Sequence, residues 1–300
     1  MSVTYNTLTL KNGVEMFYRE SGKSNNETLL LLHGFPTSSR QFSHLIPLLS
    51  NKFHVVAPDL PAFGETKIPE DFEVTFDNLS KSVGLLLNEL KISTFSVYIF
   101  DYGAPTGLRL ALEDQFTVKA IVSQNGNAYI EGIQEFWDPI RKVWDLVDKS
   151  ELTPAEKEQL EIERENLAQS LFMNLKPYTW QYFNGEPDGT IVNPEDAKVD
   201  FELLMNYPNT RHNQLALFTD YRKNLPLYPK FQEYFRESNV PILAIWGVND
   251  FIFPKEGQEA FTRDSKNVKV VELDAGHFVS VNHASKLAEN ILAFFEEYNL

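Results

Sequence analysis

The apolar positions in the first part of the chain fall in short, unbroken runs, set between polar stretches that repeat with a helical spacing. Runs such as Leu29-Leu30-Leu31-Leu32 and Val97-Tyr98-Ile99-Phe100 leave no polar face, the mark of strands covered on both sides of a sheet. This pattern predicts strands over 4–10, 14–20, 28–33, 53–58, 96–100 and 118–123, with helices over 39–50, 76–90 and 105–113 between them. Lys11-Asn12-Gly13 joins the first two strands in the manner of an antiparallel hairpin. The later strands alternate with helices, as a mainly parallel, doubly wound α/β sheet requires.

After residue 123 the rhythm changes. From 127 to 238 the chain reads as helical and aromatic, with Trp137, Trp144 and Trp180, a charged helix over 156–169 and a loop at Gly185-Glu186-Pro187-Asp188-Gly189. Strand and helix signals return at 241–246 and 268–273, and an amphipathic helix over 285–298 closes the chain. The expected organisation is an α/β core of 1–126 and 239–300, interrupted by a helical cap over 127–238. No internal repeat or low-complexity tract interrupts it.

One strand end carries chemistry. The run Ser96-Val97-Tyr98-Ile99-Phe100 stops at Asp101, and Tyr102-Gly103-Ala104 then leaves room for a sharp turn into a helix. A turn of this kind lifts one side chain above the edge of the sheet. An aspartate after a strand is commonly a helix cap, so the carboxylate alone decides nothing. Its company does.

Composition narrows the field. The formal net charge of −15 argues against a nucleic-acid partner, whose phosphates require Lys and Arg, and against an anionic membrane surface. With no cysteine, disulfides, thiolate catalysis and cysteine metal sites are excluded. No apolar run approaches the ~20 residues of a membrane span, and the N-terminal residues lack the pattern of a secretory signal. A cytoplasmic protein without a cofactor, acting on a small molecule, is the expectation. Oligomeric state is not readable.

Four segments occur in a telling order: Leu32-His33-Gly34-Phe35-Pro36 after a buried strand, Phe100-Asp101-Tyr102-Gly103 at the turn, Trp246-Gly247-Val248-Asn249-Asp250 after a later strand, and Asp274-Ala275-Gly276-His277-Phe278 after the last. Nucleophile, acid and then histidine is the chain order of the α/β-hydrolase triad. The chain resembles α/β-hydrolases of the epoxide hydrolase and haloalkane dehalogenase branch, in which aspartate stands where other branches carry serine.

The resemblance implies a role for each residue. Asp101, ionised without help from a base because a free carboxyl has a pKa near ~3.9, would attack saturated carbon and form an alkyl ester. His277 would activate water against that ester, and Asp250 would orient the imidazole. The backbone N–H groups of Phe35 and Tyr102 would form the oxyanion hole, and the Phe35–Pro36 bond is expected to be cis. His283 is the rival base. His33 and the Asp59-Leu60-Pro61-Ala62-Phe63-Gly64 loop read as structural.

Leaving-group chemistry separates the two reactions of the branch. Haloalkane dehalogenases carry Trp directly after the nucleophile, where this chain has Tyr102, and Phe35 also departs from their pattern. Epoxide hydrolases resemble one another in two cap tyrosines that protonate the opening ring. Here Tyr221 in Asp220-Tyr221-Arg222 and Tyr182 in Trp180-Gln181-Tyr182-Phe183 fit those positions, with Tyr178 a rival for the second. Epoxide hydrolysis to a diol is therefore the expected reaction, on a small hydrophobic substrate. The alternatives are dehalogenation, ester hydrolysis, and a non-catalytic relative that binds a small molecule.

Overall fold

The computed structural model describes residues 2–300. Eight strands form one sheet in the order β1-β2-β4-β3-β5-β6-β7-β8. They are β1 (Thr4–Thr9), β2 (Glu15–Ser21), β3 (Thr28–Leu32), β4 (His54–Pro58), β5 (Thr94–Ile99), β6 (Thr117–Gln124), β7 (Ile242–Gly247) and β8 (Val268–Leu273). β1 pairs antiparallel with β2 and β2 antiparallel with β4, while every other pairing is parallel. The expected mainly parallel α/β sheet is thus the observed one.

β3 and β4 are buried along their whole length, as their unbroken apolar runs require. The helices Phe76–Glu89 and Gly103–Ala111 pack on each other and cover one face, while Ala284–Glu297 packs on Leu45–Leu49. Thr75 starts the first of these helices by accepting the N–H of Asn78, a cap of the usual Ser/Thr kind.

One expectation fails locally. Instead of a continuous helix over 39–50, the chain forms a 3-10 turn, Ser39–Phe42, and a short helix, Leu45–Leu49. Pro47 explains the break. It has no N–H to donate backward, and its ring would clash with the carbonyl of Ser43 in a continuous helix, so it sits in the first turn of the second piece.

Between β6 and β7 the chain is helical, with Asp138–Val147, Pro154–Leu171, Leu175–Phe183, Pro194–Met205, Thr210–Asp220 and Tyr228–Ser238 as its main helices. The charged helix begins with a reciprocal capping box, Thr153 and Glu156 each accepting the other's backbone N–H. Among the described residues no helix is long and apolar enough to cross a membrane. The loops that follow β3, β5, β6, β7 and β8 carry the residues described next, at the carboxyl ends of the parallel strands where α/β sheets place their sites.

Candidate active site

Asp101 follows β5 at a left-handed backbone angle, φ +47°, a conformation that costs a non-glycine residue energy and recurs at functional sites. The turn is held by the Gly103 N–H donating to Phe100 O at 2.7 Å. Gly103 is required there, because a Cβ would stand 2.3 Å from the Leu32 carbonyl oxygen. The helix that begins at Gly103 runs against β3 and β5. The sequence thus gives the carboxylate a rigid support.

The loop after β3 meets that carboxylate. Phe35 N–H donates to Asp101 Oδ1 at 2.6 Å, and the neighbouring Tyr102 N–H favours the anionic form of the carboxylate. A Cβ on Gly34 would lie 2.2 Å from Oδ1, so only glycine permits this approach. The Phe35–Pro36 peptide is cis. Behind the loop, His33 bonds Gly34 O through Nδ1 at 3.0 Å and accepts the Leu60 N–H at Nε2 at 2.9 Å. Burial lowers its pKa to about 4, so it stays neutral. Asp59 accepts N–H groups from Ser39 at 2.7 Å and Glu65 at 2.8 Å, which closes the adjoining loop.

His277, after β8, places Nδ1 2.7 Å from Asp250 Oδ2. Asp250 is held in turn by the Ile252 N–H at Oδ1, 2.7 Å away, and by the Asn125 amide at Oδ2, 2.8 Å away. His277 Nε2 is buried and has no partner within the protein. His283 is directed elsewhere, with Nε2 2.8 Å from Glu186 Oε2. Of the two histidines, His277 is the one coupled to Asp101.

The electrostatics join the three groups. Burial pushes the Asp101 carboxyl up to about 6, against the opposing pull of His277 and of the Phe35 and Tyr102 N–H groups. That is well above the free-carboxyl value of ~3.9, although the group remains mostly ionised at neutral pH. For His277, burial works against the cation, but the charge and hydrogen bond of Asp250 and the charge of Asp101 outweigh it and raise the pKa.

An aromatic wall surrounds the carboxylate. Phe35 packs on Tyr102, Phe172 and Phe218 with ring centres 5.9, 6.3 and 5.0 Å apart. Tyr102 is also edge-on to Phe76 at 5.0 Å, and Tyr221 lies 5.9 Å from Tyr102 and 4.3 Å from Trp137. The Tyr102 hydroxyl is buried with no hydrogen-bond partner. The Tyr221 hydroxyl is 3.4 Å from that of Tyr228, which accepts from the Asn127 amide at 3.2 Å.

Tyr182 and Tyr178 do not join this group. Tyr182 stacks on Phe278 at 4.3 Å and its hydroxyl donates to Asp200, which Arg40 holds through Nε at 3.0 Å. Tyr178 donates to Phe172 O at 3.3 Å. The proton that the resemblance assigned to Tyr182 is committed to a carboxylate.

Several participants escaped the sequence reading. Asn125, at φ +48°, bridges Asp250 to Gly247, and Gln124 donates to His277 O at 3.0 Å. The polar cluster Gln124-Asn125-Gly126 at the end of an apolar strand was the available signal. In the sequence Tyr102 counts through its backbone N–H and through standing where dehalogenases carry Trp; that its hydroxyl is buried without a partner is a property of the fold.

Comparison with known proteins agrees with this architecture. A family model described as the alpha/beta hydrolase fold matches residues 27–284. The chain is 42% identical over 299 residues to the uncharacterized hydrolase YNR064C of Saccharomyces cerevisiae, covering 98% of this chain and 97% of that one. The structure of the epoxide hydrolase CorEH without ligand matches with a TM-score of 0.75 at 18% identity, over 99% of this chain and 100% of that chain. The haloalkane dehalogenase DbeA from Bradyrhizobium elkani matches with a TM-score of 0.74 at 19% identity, over 99% and 98% of the two chains. Identities this low speak for the shared fold alone, but the family match and the yeast relative extend to the sequence. The chain belongs to the alpha/beta-hydrolase family.

Proposed function

We propose that this protein is an epoxide hydrolase that opens a small hydrophobic epoxide through an ester on Asp101. The observation that carries this reading is the set of donors beside the carboxylate. An epoxide oxygen leaves as an alkoxide and needs an O–H proton, whereas a halide leaves as an anion and is held by N–H donors. Tyr102 offers a buried, unengaged hydroxyl and Tyr221 one that is only loosely engaged. The indole N–H groups of Trp137, Trp144 and Trp246 are bonded to the carbonyls of Ile252, Phe218 and Phe253 at 3.0, 2.8 and 2.8 Å. Trp180 is 37% exposed.

The Asp101 oxygen not held by Phe35 attacks a ring carbon, the C–O bond breaks, and a tyrosine hydroxyl gives its proton to the departing oxygen. Burial keeps both tyrosines protonated far above neutral pH. His277 Nε2 then takes a proton from water as the water oxygen bonds the ester carbonyl carbon, and the oxyanion rests on the Phe35 and Tyr102 N–H groups. Collapse releases the second hydroxyl with the proton returned by His277. The acid left on Asp101 restores the tyrosine proton. Esterification also removes one of the two negative charges that hold a proton on His277, which favours its role as base in the second step.

The helices between β6 and β7 act in this reading as a cap that shields the ester from bulk water, and their aromatic side chains select an apolar substrate. The test is turnover on panels of epoxides and haloalkanes with diol and halide assayed separately. Diol without halide, lost in Asp101→Ala, supports the reading. Halide release, or diol formation that survives in Asp101→Ala, contradicts it.

A further inference from the structure

The loop that leaves the helix Leu175–Phe183 belongs to the helical insertion, yet its polar contacts go to the two loops that carry Asp250 and His277. The Glu186 side chain is fully buried, with an exposure of 0%. Its Oε1 accepts the backbone N–H of Gly276 at 3.2 Å and the side-chain amide of Asn282 at 3.0 Å, and its Oε2 lies 2.8 Å from His283 Nε2. Gly276 immediately precedes His277. On the acid's side, the Asn249 amide donates to Gly185 O and to Asp274 Oδ1, both at 2.8 Å, and Asn249 immediately precedes Asp250.

The seating is at backbone contact. A Cβ on Gly276 would stand 2.1 Å from Asn184 O, and one on Gly185, whose φ is +79°, would stand 2.5 Å from Asn249 O. A Cβ on Gly247 would lie 1.9 Å from Gly276 O, so the acid and base loops also touch each other. Three glycines thus let three loops meet, and a single carboxylate gathers donors from the histidine's loop and from the short helix behind it. A buried carboxylate is costly unless its lone pairs are filled. Glu186 has partners for both oxygens, which ties its position to theirs.

We propose that Glu186 is a positioning residue that sets where His277 stands, so that the helical insertion controls the hydrolytic half of the reaction. The inference rests on the two-step mechanism above. Attack by Asp101 needs no movement of a proton to or from His277, whereas hydrolysis needs Nε2 within hydrogen-bond reach of the attacking water. Displacing the Gly276 N–H therefore slows the second step and spares the first.

The carboxylate's reach, rather than its charge, does the positioning, and two conservative variants separate these. Glu186→Gln keeps the acceptor for Gly276 and Asn282, and His283 can accept from the new amide by changing tautomer. Glu186→Asp keeps the charge but withdraws the oxygens by one methylene. In rapid-quench experiments with an epoxide substrate, Glu186→Asp should form the Asp101 ester at the wild-type rate and hydrolyse it at least about tenfold more slowly. kcat and KM then fall together. Glu186→Gln should hydrolyse it within about threefold of wild type, since the hydrogen bond to Gly276 persists.

A second readout needs no substrate. The downfield proton resonance of His277 Nδ1–H, which reports its bond to Asp250, should move or broaden in Glu186→Asp and stay in place in Glu186→Gln. Equal behaviour of the two variants, equal slowing of both chemical steps, or an unmoved resonance in Glu186→Asp overturns the proposal. A wild-type enzyme that forms no ester would instead overturn the proposed reaction, and the resonance would still decide the placement of His277 by Glu186.

Discussion

His277 stands with Nδ1 2.7 Å from Asp250 Oδ2 while its Nε2 is buried without a protein partner. The Asp250 bond selects the tautomer with the proton on Nδ1, which leaves Nε2 as the lone pair available to water. Asp250→Asn should preserve the shape of the site but weaken that preference. Ester hydrolysis should fall by roughly 10²–10⁴-fold, with ester formation little changed. Mass spectrometry of quenched enzyme would show the ester accumulating on Asp101; a variant that hydrolyses the ester at the wild-type rate would contradict this role.

The pH dependence of the first step follows from the Asp101 carboxyl, which burial raises to about 6. In the proposed reaction the anion is the nucleophile, so ester formation should be at its plateau above that value and fall as pH drops through it. Well below the midpoint the loss approaches about tenfold per pH unit. Single-turnover rates between pH 4.5 and 8 measure this directly. A rate that stays flat down to pH 4.5 would mean that the carboxyl titrates as a free one does.

The same burial has a consequence for stability. A carboxyl whose folded-state pKa lies above its unfolded value binds more protons when folded, so stability falls as pH rises from about 4 to about 6 and stays lower above that window. A rise from 3.8 to about 6 corresponds to roughly 3 kcal/mol. Asp101→Asn should therefore be more stable than wild type in urea at neutral pH, by up to that amount, and the gain should shrink towards pH 4. A gain that grows on acidification would have the wrong sign.

The tyrosines should divide by function. Tyr102→Phe and Tyr221→Phe should each slow ring opening by roughly 10–100-fold, because each removes a donor to the developing alkoxide. Tyr182→Phe leaves Asp200 and Arg40 to each other and removes a buried hydrogen bond within the insertion. It should cost stability of about 1–3 kcal/mol with ring opening near the wild-type rate. Ring-opening rates and urea midpoints for the three variants would settle the division. Loss of ring opening in Tyr182→Phe alone would reverse it.

What was legible in the sequence follows from how local each signal is. Asp101 and Asp250 each sit a few residues beyond a buried apolar strand, and His277 a few residues beyond the partly exposed edge strand β8, so strand, turn and candidate residue are written in one short segment. The oxyanion loop at Gly34-Phe35-Pro36 is local in the same way. Tyr182 is different, because its hydroxyl donates to Asp200, which Arg40 holds, and Arg40 and Asp200 stand far apart in the chain. No spacing rule records that meeting. Glu186 reads in sequence as part of a polar loop, and the close approach of Gly276 to Asn184 that brings its carboxylate to the loop of His277 is not written in any local pattern. Asn125 and the hydroxyl of Tyr102 belong with these, since a left-handed backbone angle and a side-chain direction are set by packing.

In the proposed reaction the oxygen added to the substrate comes from Asp101, and water then replaces it in the carboxylate. A single turnover in water labelled with heavy oxygen, with enzyme in excess over an epoxide that it converts to diol, tests this most directly. The ester mechanism predicts an unlabelled diol from that first turnover and heavy oxygen in the Asp101 carboxylate, found by mass spectrometry of the peptide that contains it. Heavy oxygen in the first-turnover diol, with Asp101 unlabelled, would show direct attack by water and contradict the ester mechanism.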